Sequence, residues 1–472
     1  MVMEDPNHKK TVRLKPRTLA AAITGLGTLS APVYLANFKI YKVSPVFAGL
    51  SGIELYVIIF LFASALYLAG VFLIIKRLPA RNASWSLALI IVLFGILFRV
   101  CLIPSAPTTL SRDLYRYIWD GRVQQNGMNP YKYAPGAEEL AVLRDEGIFP
   151  NINRKDYPTL YPAGAQIFFR LFYALAGDSV AGFKAIMVFF DTLSLIALIA
   201  LLRSHGFEPS RVIVYAWNPL VIFEIAYSGH LEGLTVFLMV VALYLSAIHK
   251  KIPGVIMLAL AAAVKLYPAL LLAAFLNRGD RIKGLLTFAT TIGILYLPFL
   301  SVGSKVSGFL PVYLKNPYES FNLGLKYLLM RLLPGLDYYL LSVLFISALA
   351  AAGLVVLLKD KQKIDVLQYA YILAGLLMVL MPASLHPWYV ILIIPFLAFY
   401  PHPAWLMFAT TVTLSYLKYV SPRGAMPTGI LLAEYVPLFA LLAAGHILGR
   451  YGSRKKFGGM NFSQHNKKMM GR

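Results

Sequence analysis

The stretch Ser111-Arg112-Asp113-Leu114-Tyr115-Arg116-Tyr117-Ile118-Trp119-Asp120-Gly121-Arg122 brings two carboxylates and three guanidinium groups close together in sequence. Wound as a helix, Asp113, Arg116, Tyr117 and Asp120 stand at i, i+3, i+4 and i+7 and share one face. A carboxylate so placed can take a proton from a hydroxyl while a neighbouring cation holds an anion. The same spacing also describes a solvated amphipathic helix with local ion pairs. A second cation, Lys265 in Ala263-Val264-Lys265-Leu266-Tyr267-Pro268, lies deep in an apolar run. An ionisable group inside a membrane is costly and marks function by default, with snorkelling to an interface as the plain alternative.

Further polar residues cluster at the ends of apolar runs. Tyr157-Pro158-Thr159-Leu160-Tyr161-Pro162 follows the first cluster, and Glu224, His230 and Glu232 flank the turn Ser228-Gly229. Leu385-His386-Pro387-Trp388-Tyr389 occupies another such end. Tyrosine and tryptophan beside carboxylates suit carbohydrate or interfacial lipid, because each ring has an apolar body and a polar tip. An aromatic belt with ordinary interfacial histidines is the competing reading.

The elements that must position these groups are membrane helices. The chain has 472 residues, 59% hydrophobic and 14% charged, against about 45–50% and about 25% for a soluble domain. A water-soluble fold is excluded. The excess of 44 Lys and Arg over 21 Asp and Glu, +23, falls largely in tails and short loops, as the positive-inside rule expects of cytoplasmic segments. The single cysteine, Cys101, allows no internal disulfide and reads as an inert thiol. No small-residue cleavage site follows the first apolar run, so it reads as a retained span with the N-terminus inside.

The expected spans are Leu19–Asn37, Gly52–Ile75, Trp85–Ile103, Val180–Leu202, Val212–Tyr227, Leu234–Ile248, Leu285–Leu300, Tyr338–Leu358, Val366–Met381, Tyr389–Tyr400, Trp405–Tyr419 and Gly429–Leu448. Ile252–Phe275, with bases at both ends and Lys265 and Pro268 inside, reads as a broken hairpin that enters and returns. The fold class is therefore an all-α polytopic membrane protein of about twelve transmembrane helices plus a re-entrant hairpin. Its divisions are a basic cytoplasmic tail (1–18), three helices (19–104), an extracytoplasmic catalytic loop (105–179), the remaining helices (180–449) and a second basic cytoplasmic tail (450–472). Loop Ser105–Ser179 holds eight of the acids against eight bases, and loops of that size are usually functional. Within it Tyr161–Gly177 reads as a helix at the outer membrane surface. Ser301–Asp337 comes out external despite Lys305, Lys315, Lys326 and Arg331.

Neither a G-x-x-x-x-G-K-[ST] loop nor a G-x-G-x-x-G between strand and helix is present. Energy for group transfer then has to arrive in a membrane-borne or extracytoplasmic substrate. A secondary transporter or lipid flippase shares the polytopic plan, but transporters tend to show internal repeats and midplane sites. A scaffold for envelope assembly has only the basic tail in its favour.

Asp113-Leu114-Tyr115-Arg116-Tyr117 with Trp119-Asp120-Gly121, Asn129-Pro130-Tyr131, Tyr161-Pro162, Gly229-His230, Lys265-Leu266-Tyr267-Pro268 and His386-Pro387-Trp388-Tyr389 resemble, in order, the motifs of the GT-C superfamily. Within it they are most similar to the bacterial polyprenol-phosphate-mannose-dependent mannosyltransferases of the glycosyltransferase family 87 type. Two departures stand out: Tyr161-Pro162-Ala163 replaces a pair of prolines, and Leu231-Glu232 replaces Asn-Asp. The resemblance implies an inverting transfer of a hexose from a polyprenyl-phosphate donor to a lipid or glycan hydroxyl on the extracytoplasmic side of the cell membrane. It implies Asp113 as general base. Arg112, Arg116 and Lys265 would then hold the donor phosphate, and Tyr117, Asp120, Tyr161, His230, Glu232, His386 and Trp388 would form the sugar and acceptor pocket. No cofactor and no metal are expected.

Overall fold

Long runs of Leu, Ile, Val, Ala and Phe have no water to bond their backbone inside a bilayer, so they satisfy it internally as helices. The computed structural model describes residues 14–35, 49–77, 85–105, 110–315, 321–359 and 363–456, and all regular structure among them is helical. In chain order the principal helices are Pro16–Leu35 (α1), Gly52–Arg77 (α2), Trp85–Leu102 (α3), Asp113–Gln125 (α4), Ala163–Ala176 (α5), Val180–Ser204 (α6) and Glu232–Ala247 (α7). They continue with Lys251–Val264 (α8), Arg281–Tyr296 (α9), Tyr338–Leu358 (α10), Lys363–Val379 (α11), Pro403–Thr411 (α12) and Thr428–Lys456 (α13). Among the described residues seven helices are long and apolar enough to cross a membrane by length and composition, and five apolar helices are shorter. The protein is thus an all-α polytopic membrane protein. Asn37, Arg81, Lys361 and the outer parts of both basic tails lie outside the described residues.

Several expected straight spans are instead broken. Val212–Tyr227 folds as short turns, Pro209–Val212, Ile213–Ala216, Pro219–Ile222 and a wide turn over Phe223–Tyr227. Pro219 has no N–H to continue the ladder, and the Asn218 side chain instead accepts the Leu220 N–H at 3.0 Å. Such irregular backbone survives at depth only when protein surrounds it. Here it is the centre of the bundle: Tyr67 Oη donates to the Val214 carbonyl at 2.9 Å, and residues 212–226 are all buried. Pro387 and Pro395 interrupt the span expected at Tyr389–Tyr400 in the same way, leaving a 3₁₀ turn over Pro387–Ile393. A buried pair, Arg99 Nε to Asp191 Oδ2 at 2.5 Å, ties α3 to α6, with the Tyr215 hydroxyl on the other carboxylate oxygen at 2.6 Å.

The segment from Lys251 to Asp280 turns back on itself. α8 rises for fourteen residues, about 20 Å, and stops at Lys265, whose backbone is extended (φ −137°, ψ 135°). Pro268 then opens a 3₁₀ turn, Tyr267–Leu271. The chain returns until Lys251 Nζ meets Asp280 Oδ2 at 2.6 Å. That ion pair puts the two feet of the hairpin at one level and Lys265 at its tip.

The long polar loop between α3 and α6, from residue 110 on, is a packed structure rather than a free connector. α4 lies on α5 so closely that a Cβ at Gly121 would come 2.5 Å from the Phe169 carbonyl oxygen. α5 shows Leu171 and Leu175 outward, 51% and 79% exposed, and packs its other face inward. Arg122 joins Asp178 at 2.6 Å and Asp145 at 3.0 Å. The turn after α9 folds over this loop: Phe309 N–H donates to the Thr159 carbonyl at 3.0 Å. Gly308 makes the approach possible with φ 55°, a region that L side chains avoid.

Candidate active site

α4 opens at Asp113, and its one polar face divides into two jobs. Arg116 Nε donates to Asp120 Oδ1 at 2.8 Å, both side chains being at most 5% exposed. Arg116 Nη1 also donates to the carbonyls of Tyr157 and Arg154, at 3.2 and 3.5 Å, and Gln166 Nε2 donates to Asp120 Oδ2 at 2.8 Å. This network pins the 154–157 segment and α5 to α4. Tyr117 stacks on Phe169 at 4.8 Å and meets Tyr161 edge-on at 5.1 Å. Burial pushes the hydroxyls of Tyr117 and Tyr161 well above their usual range, so both stay neutral. Asp113, one turn ahead, faces open space, and Asn153 Nδ2 donates to its Oδ1 at 2.8 Å.

That space is a cavity of about 820 Å³ lined by both charged and apolar side chains. Arg112, Asp113, Arg116, Arg154, Lys265 and Lys418 supply the charge on its wall, five cations to one carboxylate. Leu270, Leu349, Leu377 and Met381 supply the apolar part. Lys265 reaches it from the hairpin tip, held by Glu232 Oε1 at 3.0 Å and lying 5.5 Å from the Tyr389 ring centroid. Glu232 also accepts from the Tyr267 hydroxyl at 3.2 Å and is fully buried behind the wall.

Four rings form a continuous stack beside the lysine. His230 lies on Trp388 at 4.1 Å, Trp388 on His386 at 4.4 Å, and His386 on Phe321 at 4.7 Å, all within 21° of parallel. His386, Trp388 and Phe321 line the cavity, while His230 ends the stack in the interior with Nε2 3.4 Å from Glu224 Oε2. Glu224 in turn accepts from the Tyr416 hydroxyl at 2.7 Å.

Seven of the expected residues therefore line one cavity: Arg112, Asp113, Arg116, Tyr161, Lys265, His386 and Trp388. Tyr117, Asp120, His230 and Glu232 stand behind that wall and hold residues on it. Arg116 is committed to Asp120 and two carbonyls. Asn153, Arg154, Tyr267, Tyr389 and Lys418 join the site without having been expected there. Lys418 had a readable signal, since it sits in the apolar run 405–419, as costly a place for an ionisable group as that of Lys265. Asn153 and Arg154 had none: Asn153 reaches Asp113, and Arg154 the cavity wall, only through the fold of their loop, in which Arg154 takes φ 52°. Among the described residues no group of three or more His, Cys, Asp or Glu side chains is placed to hold a metal ion.

Residues 18–277, which contain α4, the polar loop that follows it and the hairpin with Lys265, match the family described as alpha-(1->6)-mannopyranosyltransferase, N-terminal domain. The Alpha-(1->6)-mannopyranosyltransferase A of Mycobacterium tuberculosis is 27% identical over 170 residues, 35% of this chain and 32% of that protein, so the similarity spans about a third of the relative's length. The motifs that resemble the GT-C mannosyltransferases and this match, which covers more than half of the sequence, agree: the chain belongs to the alpha-(1->6)-mannopyranosyltransferase family.

Proposed function

We propose that the protein is an integral-membrane mannosyltransferase that moves a hexose from a polyprenyl-phosphate donor to a hydroxyl on the extracytoplasmic side. The observation that carries this reading is a single carboxylate, Asp113, on a cavity wall that also holds five cations and many apolar side chains. A phosphate suits the cations, an isoprenoid chain suits Leu270, Leu349, Leu377 and Met381, and a sugar suits the Tyr161 ring and the edge of Trp388, whose two faces are taken by His230 and His386.

In the proposed step Asp113 takes the proton of the acceptor hydroxyl as its oxygen bonds to the anomeric carbon. The bond from that carbon to the phosphate oxygen breaks with inversion. The donor phosphodiester carries one negative charge and leaves as a monoester with a second. Lys265, Arg112, Arg154 and Lys418 stabilise that developing charge, the task fixed cations perform in a site shielded from water. The basic loops at the far end of the helices support an outward-facing cavity.

The test is transfer from polyprenyl-phosphate mannose by the purified protein, with the product identified by mass spectrometry. Asp113→Asn is expected to lower kcat by ~10²–10⁴-fold while donor binding persists. Full activity in that variant, or uptake into vesicles with no glycosidic product, overturns the assignment.

A further inference from the structure

At the other end of the hairpin from the cavity, a groove of about 790 Å³ runs along the outward face of α9. Of the sixteen residues in α9 only Gly284 is buried. One end of the groove is basic, lined by Arg278, Arg281 and Lys283, and beyond it an apolar row, Ile282, Leu286 and Ile294 at 76%, 63% and 58% exposed, runs beside Thr287, Thr290 and Thr291. No carboxylate lines it. The nearby acid Asp280 is occupied by Lys251 at 2.6 Å and by the Asn277 N–H at 2.8 Å.

We propose that this groove binds an anionic phospholipid of the surrounding bilayer. Its phosphate meets Arg278, Arg281 and Lys283, and an acyl chain lies along Ile282, Leu286 and Ile294. A soluble anion has no use for the apolar wall, and a zwitterionic lipid brings no net charge to three bases. An anionic lipid answers both, and basic pockets at the cytoplasmic ends of membrane helices bind such headgroups. The groove is distinct from the cavity: the length of α8, about 20 Å, separates the level of Lys251 from Lys265. Because residues 278–283 end the return limb, a lipid seated there also braces the hairpin that carries Lys265.

The experiment is native mass spectrometry of the full chain with phosphatidylglycerol and phosphatidylcholine of identical acyl chains. Phosphatidylglycerol is expected to be retained more tightly, with about fivefold loss for each of Arg278→Gln, Arg281→Gln and Lys283→Gln. Thr290→Trp fills the groove without altering charge and is expected to weaken retention as well. Lys305→Gln, beyond the far end of α9, is expected to leave it unchanged. Equal retention of the two lipids overturns the proposal. So does undiminished phosphatidylglycerol binding by the triple glutamine variant, or retention of polyprenyl phosphate alone.

Discussion

Asn153 Nδ2 donates to Asp113 Oδ1 across 2.8 Å, from a loop forty residues further along the chain. The bond occupies one carboxylate oxygen, fixes the rotation of the group and leaves Oδ2 to receive a proton. Asn153 is thus a positioning residue for the proposed base.

Asn153→Ala is expected to lower kcat about tenfold, the worth of one hydrogen bond to a charged group, with donor KM little changed. Asn153→Asp replaces the donor with a second carboxylate and is expected to lower kcat further than the alanine variant, again with donor KM little changed. Unchanged kcat in both variants removes Asn153 from this role.

Lys265 and Glu232 depend on each other at 3.0 Å, the carboxylate fully buried and the ammonium side chain 10% exposed. Glu232→Gln leaves the ammonium without its counter-charge, which costs roughly 3–5 kcal/mol when a buried pair loses one partner. The apparent Tm in detergent is expected to fall sharply. The double variant Glu232→Gln with Lys265→Met is expected to recover part of the loss, because no lone charge then remains. Additive losses would show that the two side chains act separately.

Lys418 is expected to bear on the donor rather than on the fold. Lys418→Gln removes one of the five cations on the cavity wall and is expected to raise donor KM about tenfold, with the Tm within a few degrees of the parent. An unchanged KM would place the donor phosphate elsewhere.

The polar loop that follows α4 carries a pH dependence of its own. The Arg122 guanidinium, by its hydrogen bond, holds the Asp145 carboxyl well below the usual carboxylate range. A group depressed in the folded state contributes stability above its unfolded pKa, about 4, and that contribution drains away as pH falls below it. The Asp145 side chain is 36% exposed, so solvent screening keeps the effect to about 1 kcal/mol or less. Proteolysis within residues 138–151 is expected to speed up below about pH 4 in the parent. In Arg122→Gln it is expected to be fast already at neutral pH. Equal cleavage rates in both proteins across that range would contradict the brace.

Composition and apolar run length by themselves determined that this chain is a polytopic helical membrane protein, since a bilayer admits no other use for such runs. Local spacing also determined that Asp113, Arg116, Tyr117 and Asp120 share a helix face, and Lys265 with Pro268 marked where a helix had to break. Only the tertiary structure decided which half of that face meets the cavity, because a face is defined by period alone and its cover by packing. Asp113 faces the cavity and Arg116 borders it while bound to Asp120, whereas Tyr117 and Asp120 are sealed by Phe169 and Gln166. The same holds for Glu232, which reads as a pocket residue in the turn after Gly229 and proves to be the anchor of Lys265. Asn153, Arg154 and Lys418 converge on the cavity from distant parts of the chain, and contacts of that range leave no periodicity for a linear reading to detect.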